Sequence, residues 1–116
     1  MGEIDLFKVD WLTARRVLKN RDMRIIRIPH DSPYVSSPRY GHWSPSSDVD
    51  QAYLLWQDLL QHGYSITLAA ITSLDFTAFA YNDGELRATT RQYGLPLTLS
   101  VLALQAVGVP QRKYMR

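Results

Sequence analysis

The residues best suited to chemistry in this chain are arginines, hydroxyls and aromatic rings, and the chemistry they suit is holding a phosphate. In the run Glu85-Leu-Arg-Ala-Thr-Thr-Arg91, strand alternation would put Arg87, Thr89 and Arg91 on one face, opposite Leu86 and Ala88. Guanidinium groups offer paired donors that match phosphate oxygens, and a neighbouring hydroxyl adds one more. An exposed strand face without a ligand has the same pattern. A second set stands at Ser44-Pro-Ser46-Ser47-Asp48, just before a helical stretch, where free amides and hydroxyls can hold an anion. Plain capping of that helix uses the same residues. Trp43 and Tyr81 would supply ring faces for a base. The expected pocket is therefore Trp43, Ser46, Ser47, Tyr81, Arg87, Thr89 and Arg91, assembled from the loop before Ser47 and the strand after Gly84, within one chain or shared between subunits.

The N-terminal quarter holds a different cationic surface. Of the thirteen Lys and Arg residues, seven are Lys8, Arg15, Arg16, Lys19, Arg21, Arg24 and Arg27. This cluster can attract an anion over distance, but a solvated helix face followed by a strand edge gives the same run. The overall excess of +2 is too small to imply nucleic acid, and none is expected as a partner.

Catalytic patterns are absent. His30, His42 and His62 are neither paired at helical spacing nor set beside an acid in a ligand spacing, apart from the neighbours His30 and Asp31. No GxSxG, HExxH or phosphate-loop motif occurs. Asp48 and Asp50 suit the positive end of a helix, and Gly84 suits a turn. With no Cys there is no disulfide, thiolate metal site or thiol nucleophile. The expectation is a chain that is not an enzyme and needs no metal or cofactor.

These groups must be positioned by 116 residues, 46% hydrophobic and 21% charged, which suits one globular domain spanning residues 1–116. No apolar run approaches the ~20 residues of a membrane helix, and the acidic N-terminus does not resemble a secretory signal, so a cytoplasmic protein is expected. Residues 6–20 read as a helix through Phe7, Trp11, Ala14 and Leu18, with Asp10 near its positive end. Residues 23–28 read as a strand stopped by Pro29. Residues 30–47, with Pro33, Pro38, Pro45, Gly41, Tyr34 and Tyr40, read as a long loop or arm. A helix follows from Ser47, with Ser47 and Asp50 as a capping box and a stripe of Val49, Ala52, Tyr53, Trp56, Leu59 and Leu60 that Gly63 ends.

Three antiparallel strands come next: residues 64–70, 76–81 and 85–90, the last two joined by Asn82-Asp83-Gly84. A final helix opens at Pro96 and runs apolar on nearly every face to Val107. Either it lies between sheet and helices, or Leu99, Val101 or Leu102 meets a second subunit, and at least a dimer is expected. The order predicts an α+β fold: an antiparallel sheet of about four strands packed with three helices, as a two-layer or α-β-α sandwich.

Two motif blocks resemble the phage ABA sandwich domain, a family of small phage and prophage proteins. One is Ser46-Ser47-Asp48 before a helix with Ala52 and Tyr53; the other is Ala88-Thr89, then Pro96-Leu97 and Ala103-Leu104-Gln105-Ala106. The likeness covers residues 44–108. Thr98 and Leu102 stand where the family has small residues, and residues 23–43 have no counterpart. The resemblance carries over no catalytic residue. By analogy with phage sponges, it implies a non-catalytic counter-defence protein in the host cytoplasm that sequesters a nucleotide-derived immune signal, such as a cyclic ADP-ribose isomer or a cyclic oligonucleotide. Two alternatives stay open: an inhibitor that meets a host defence protein or nuclease through the basic N-terminal face, and an accessory domain without a ligand.

Overall fold

Asp5 starts the first helix by accepting the Lys8 amide at 3.2 Å, in a computed structural model that describes residues 3–116. Helix α1 covers Leu6–Leu12 and widens into a π-helical turn at Thr13–Val17. The widening begins where the Asp10 carbonyl is taken by side chains: the Thr13 hydroxyl donates to it at 2.8 Å and the Trp43 indole at 3.1 Å. Extra donors on one carbonyl displace the regular ladder, and the Leu18 amide bonds Thr13 instead, five residues back. The helix expected to reach residue 20 therefore stops sooner, and Lys19 leaves it with φ +54°.

The expected loop at 30–47 is corrected by the structure. Strands β1 (Arg24–Ile26), β2 (Tyr34–Ser37) and β3 (Gly41–Trp43) form an antiparallel sheet in that order, with Ile25 opposite Val35 and Val35 opposite Trp43. Its strands are three or four residues long, too short for alternation to stand out against the Pro and Ser around them. The Ser37 hydroxyl closes the turn by accepting the Arg39 and Tyr40 amides, both at 3.1 Å. Apart from that turn, residues 27–33 and 44–48 are the irregular part of this region.

Helix α2 (Val49–Gln61) is capped by Asp48, not by the Ser47 of the expected capping box. The Asp48 carboxylate accepts the Asp50 and Gln51 amides at 2.9 and 3.2 Å, a stronger cap than a neutral hydroxyl. Its buried face is Ala52, Leu55 and Leu59, so the expected stripe is skewed: Val49, Tyr53 and Leu60 are about half exposed. Gly63 at φ +88° ends the helix as expected, because a left-handed backbone there is costly for other residues.

Strands β4 (Tyr64–Ala70), β5 (Asp75–Asn82) and β6 (Glu85–Tyr93) form a second antiparallel sheet, close to the expected bounds. The fold is α+β with three α-helices, but the strands divide into two three-stranded sheets instead of joining one of about four. A register shift after Ala80 pairs Tyr81 with Leu86 and leaves Arg87 unpaired. This bulge turns Leu86 to the outer face, 51% exposed, where strict alternation would put it inside.

Helix α3 (Leu95–Ala106) lies on the inner face of the second sheet and also meets α2 and α1. Leu102 sits on Ala78, Ala80 and Ala88, while Val101 and Leu104 join Val9, Val17, Trp43, Leu55 and Leu59 in the main core. Leu99, Val101 and Leu102 are thus covered within one chain, and α3 supplies no reason for a second subunit. No helix among the described residues is long and apolar enough to cross a membrane.

Candidate anion-binding site

The seven residues expected to share a pocket fall into two separate groups. Tyr81, Arg87, Thr89 and Arg91 lie along the second sheet, where Thr89 faces Phe79 and Arg91 faces Thr77 on the side turned away from α3. Their cations are already occupied. Arg91 grips Asp75 with both Nε (3.0 Å) and Nη2 (2.6 Å), and Arg87 stands 3.3 Å from Glu85. The Arg91 hydrogen bonds hold the Asp75 carboxyl below its ordinary range, and Asp75 in turn raises Arg91. A phosphate there would have to displace a carboxylate first.

Trp43, Ser46 and Ser47 stand elsewhere, around a cavity of about 190 Å³ beside α1, which none of the strand residues lines. Trp43 is fully buried, and its indole donates to the Asp10 carbonyl and the Thr13 hydroxyl. It is a core residue, not a free platform for a base. The Ser46 amide donates to Asp10 Oδ1 at 2.9 Å, and the Ser47 hydroxyl donates to the Ser44 carbonyl at 3.4 Å. This helix start therefore satisfies its own groups and gathers no cation.

Among the described residues, four cations without carboxylate partners gather at the end of the π turn. Arg15, Arg16, Lys19 and Arg21 line one open cleft of about 600 Å³. The backbone explains the gathering. Ala14 and Val17 are buried while Arg15 and Arg16 face solvent, and the left-handed Lys19 folds the chain back so that Arg21 closes the rim. The Arg15 guanidinium stacks over Trp11, 4.6 Å from the ring centroid, which limits its motion while leaving its edge donors free. Among the described residues, none of these four cations lies within ion-pair distance of a carboxylate.

A second cavity of about 500 Å³ adjoins the first and shares Arg16 and Lys19 with it; its other walls include Asp58, His62, Tyr64 and Asn82. The Tyr64 hydroxyl is committed to the Ala106 carbonyl at 3.0 Å, and His62 Nδ1 lies 2.8 Å from the Asp58 carbonyl. Asp58 puts one negative charge on the second cavity's wall, but among the described residues no carboxylate is within ion-pair distance of the four cations, whose mutual repulsion favours a multivalent anion. Among the described residues no group of three or more His, Asp or Glu is gathered for a metal.

The residues of this cleft stand out in the sequence as a basic run, but the run reads equally well as a solvated face. The signal that separates the two is negative: no acid lies between Trp11 and Arg21, so nothing local can neutralise the run.

Fold and cleft together describe a small α+β protein with a concentrated cationic site. No family model, no curated protein and no solved structure matches the chain.

Proposed function

We propose that this chain is a non-catalytic binding protein that holds a multiply charged phosphate ligand of the nucleotide class in the cleft of Arg15, Arg16, Lys19 and Arg21. One observation carries the reading: four cations share a cleft and, among the described residues, have no carboxylate partners, whereas Arg87 and Arg91 each have one. The adjoining cavity supports a nucleotide over a bare phosphate. Its volume lies within the range of small-molecule sites, and Asn82 offers the amide donor and acceptor that a base edge needs. Arg16 and Lys19 stand between the two spaces, where a diphosphate would lie. Sequestering a nucleotide-derived immune signal for a phage is the use implied by the sequence resemblance, and it stays part of this proposal.

The test is calorimetric titration with ADP and with inorganic pyrophosphate, followed by heat release and mass spectrometry of small molecules carried by the purified protein. Arg16→Ala should weaken ADP binding at least tenfold, since charge-assisted bonds are each worth about 1.5–3 kcal/mol. Arg91→Ala should leave it unchanged. Titrations with no heat and an empty extract would end this reading.

A second reading has its own support. Arg24 and Arg27, at and just after β1, are both exposed and add two cations to those of the cleft in the same N-terminal quarter. An acidic surface of a host defence protein or nuclease would use the whole set. Under that reading Arg24→Ala and Arg27→Ala abolish capture of the host protein, while ADP produces no heat.

A further inference from the structure

The least explained group in the molecule is the carboxylate of Asp10. It is 8% exposed, yet among the described residues no cation lies within ion-pair distance of it. The Ser46 amide donates to its Oδ1 at 2.9 Å. Burial drives its pKa up to about 6, against the pull of the Ser46 backbone and side chain. A buried charge without a counter-ion is costly, so a group held this way invites a question about what completes it.

The cavity of about 190 Å³ beside it supplies the setting. Asp10 lines this space together with Phe7, Tyr34, His42 and Trp43. The Tyr34 and His42 rings lie 4.8 Å apart at a tilt, which makes one aromatic wall. At ~30 Å³ for each water-sized atom, the space takes about six heavy atoms. One anionic oxygen pair among aromatic rings favours a cation: the carboxylate supplies charge, and ring faces attract the positive edge of the guest.

We propose that the cavity between α1 and the β2–β3 hairpin is a binding site for a small organic cation, an alkylammonium or guanidinium group that pairs with Asp10. The group has two sources, a free amine or the side chain of a Lys or Arg on another protein. This site is separate from the cationic cleft and selects the opposite charge. The walls explain the selection: an inorganic cation would need more oxygen ligands than one carboxylate and nearby hydroxyls supply, while an alkylated cation gains from Phe7 and Tyr34.

The experiment follows the Trp43 indole N–H by two-dimensional NMR, because Trp43 lines the cavity and its N–H donates to the backbone carbonyl of Asp10 itself. Methylguanidinium chloride and N-acetylarginine amide are titrated at neutral pH, at ionic strength matched with sodium chloride. Saturable shifts of the Trp43 signal in the unaltered protein, weakened at least tenfold in Asp10→Asn, support the site. The asparagine keeps an acceptor for the Ser46 amide, so the fold is retained while the charge is lost. Tyr34→Leu, which keeps the charge and removes an aromatic wall, should weaken binding by about threefold. Tighter binding of the capped arginine assigns the site to a protein side chain, and tighter binding of methylguanidinium assigns it to a free amine. No saturable shift with either probe, or the same affinity in Asp10→Asn, overturns the proposal.

Discussion

The indole of Trp43 donates to the backbone carbonyl of Asp10 at 3.1 Å, across 33 residues of sequence. The same tryptophan reaches the Thr13 hydroxyl at 3.2 Å, and Thr13 donates to that carbonyl too. One buried ring thus ties the small first sheet to the point where α1 changes pitch. Loss of the β2–β3 hairpin would therefore also remove one donor from the carbonyl at which the π turn begins.

Trp43→Phe should therefore cost about 1–3 kcal/mol, from a lost buried hydrogen bond and the smaller ring. Urea denaturation measures this as a lower midpoint with an unchanged slope. A cost close to zero would mean that the indole bond does not hold the two elements together.

Asp10 gives stability a definite dependence on pH. Its pKa is about 6 in the folded chain and near 3.8 when unfolded, so the folded state binds more protons between those values. Stability should then rise as pH falls from about 6.5 to about 4, by about 2–3 kcal/mol. Asp75 acts in the opposite sense, because its pKa is lowered by Arg91, and its contribution is lost as pH falls further. The difference between the unaltered chain and Asp10→Asn isolates the first effect: thermal melts at several pH values should show the slope disappear in the variant.

Leu102 stands on a floor of three alanines, Ala78, Ala80 and Ala88. Backbone-close side chains of that size cannot move in to fill a hole, so Leu102→Ala should cost about 3–5 kcal/mol, the upper part of the range for such changes. Calorimetric unfolding checks it. A loss below about 1 kcal/mol would show that α3 can settle onto the sheet.

Binding of ADP in the cleft should weaken steeply as salt rises, because four exposed cations are screened over a Debye length of about 8 Å at physiological ionic strength. Titrations at low and high sodium chloride measure the slope, and Arg15→Ala should make it shallower. Arg91→Ala should leave it alone, since that guanidinium already belongs to Asp75.

Much of the fold can be read from residue order, for identifiable reasons. Tyr64, Ile66 and Leu68 alternate cleanly, Asn82-Asp83-Gly84 marks one turn type, and Pro96 and Gly63 mark helix ends, so β4 to β6, α2 and α3 are legible. The β2–β3 hairpin is not, because only Val35, Ser37 and Trp43 turn inward across its two strands and one of those is a serine. The site is harder still. Arg91 is a plausible phosphate ligand until the register puts Asp75 against it, and Asp75 is sixteen residues earlier. Asp10 reads as an ordinary acid near the start of a helix, and its hydrogen-bond partner is Ser46, 36 residues away. Such groups acquire their character from distant partners, which periodicity does not encode.

The π turn at Thr13–Val17 makes the chain sensitive to length at that point in a way no substitution reproduces. The widened turn takes up one extra residue while the flanking chain keeps its direction, so removing Ala14 would restore a regular ladder and re-aim the side chains inside the turn. Arg15 and Arg16, inside the turn, would keep their identities and charge but no longer face Lys19 and Arg21. Deletion of Ala14 should thus dissolve the cleft while leaving its four cations and the net charge untouched, and related chains that share the cleft should conserve the length of this segment more strictly than its residues.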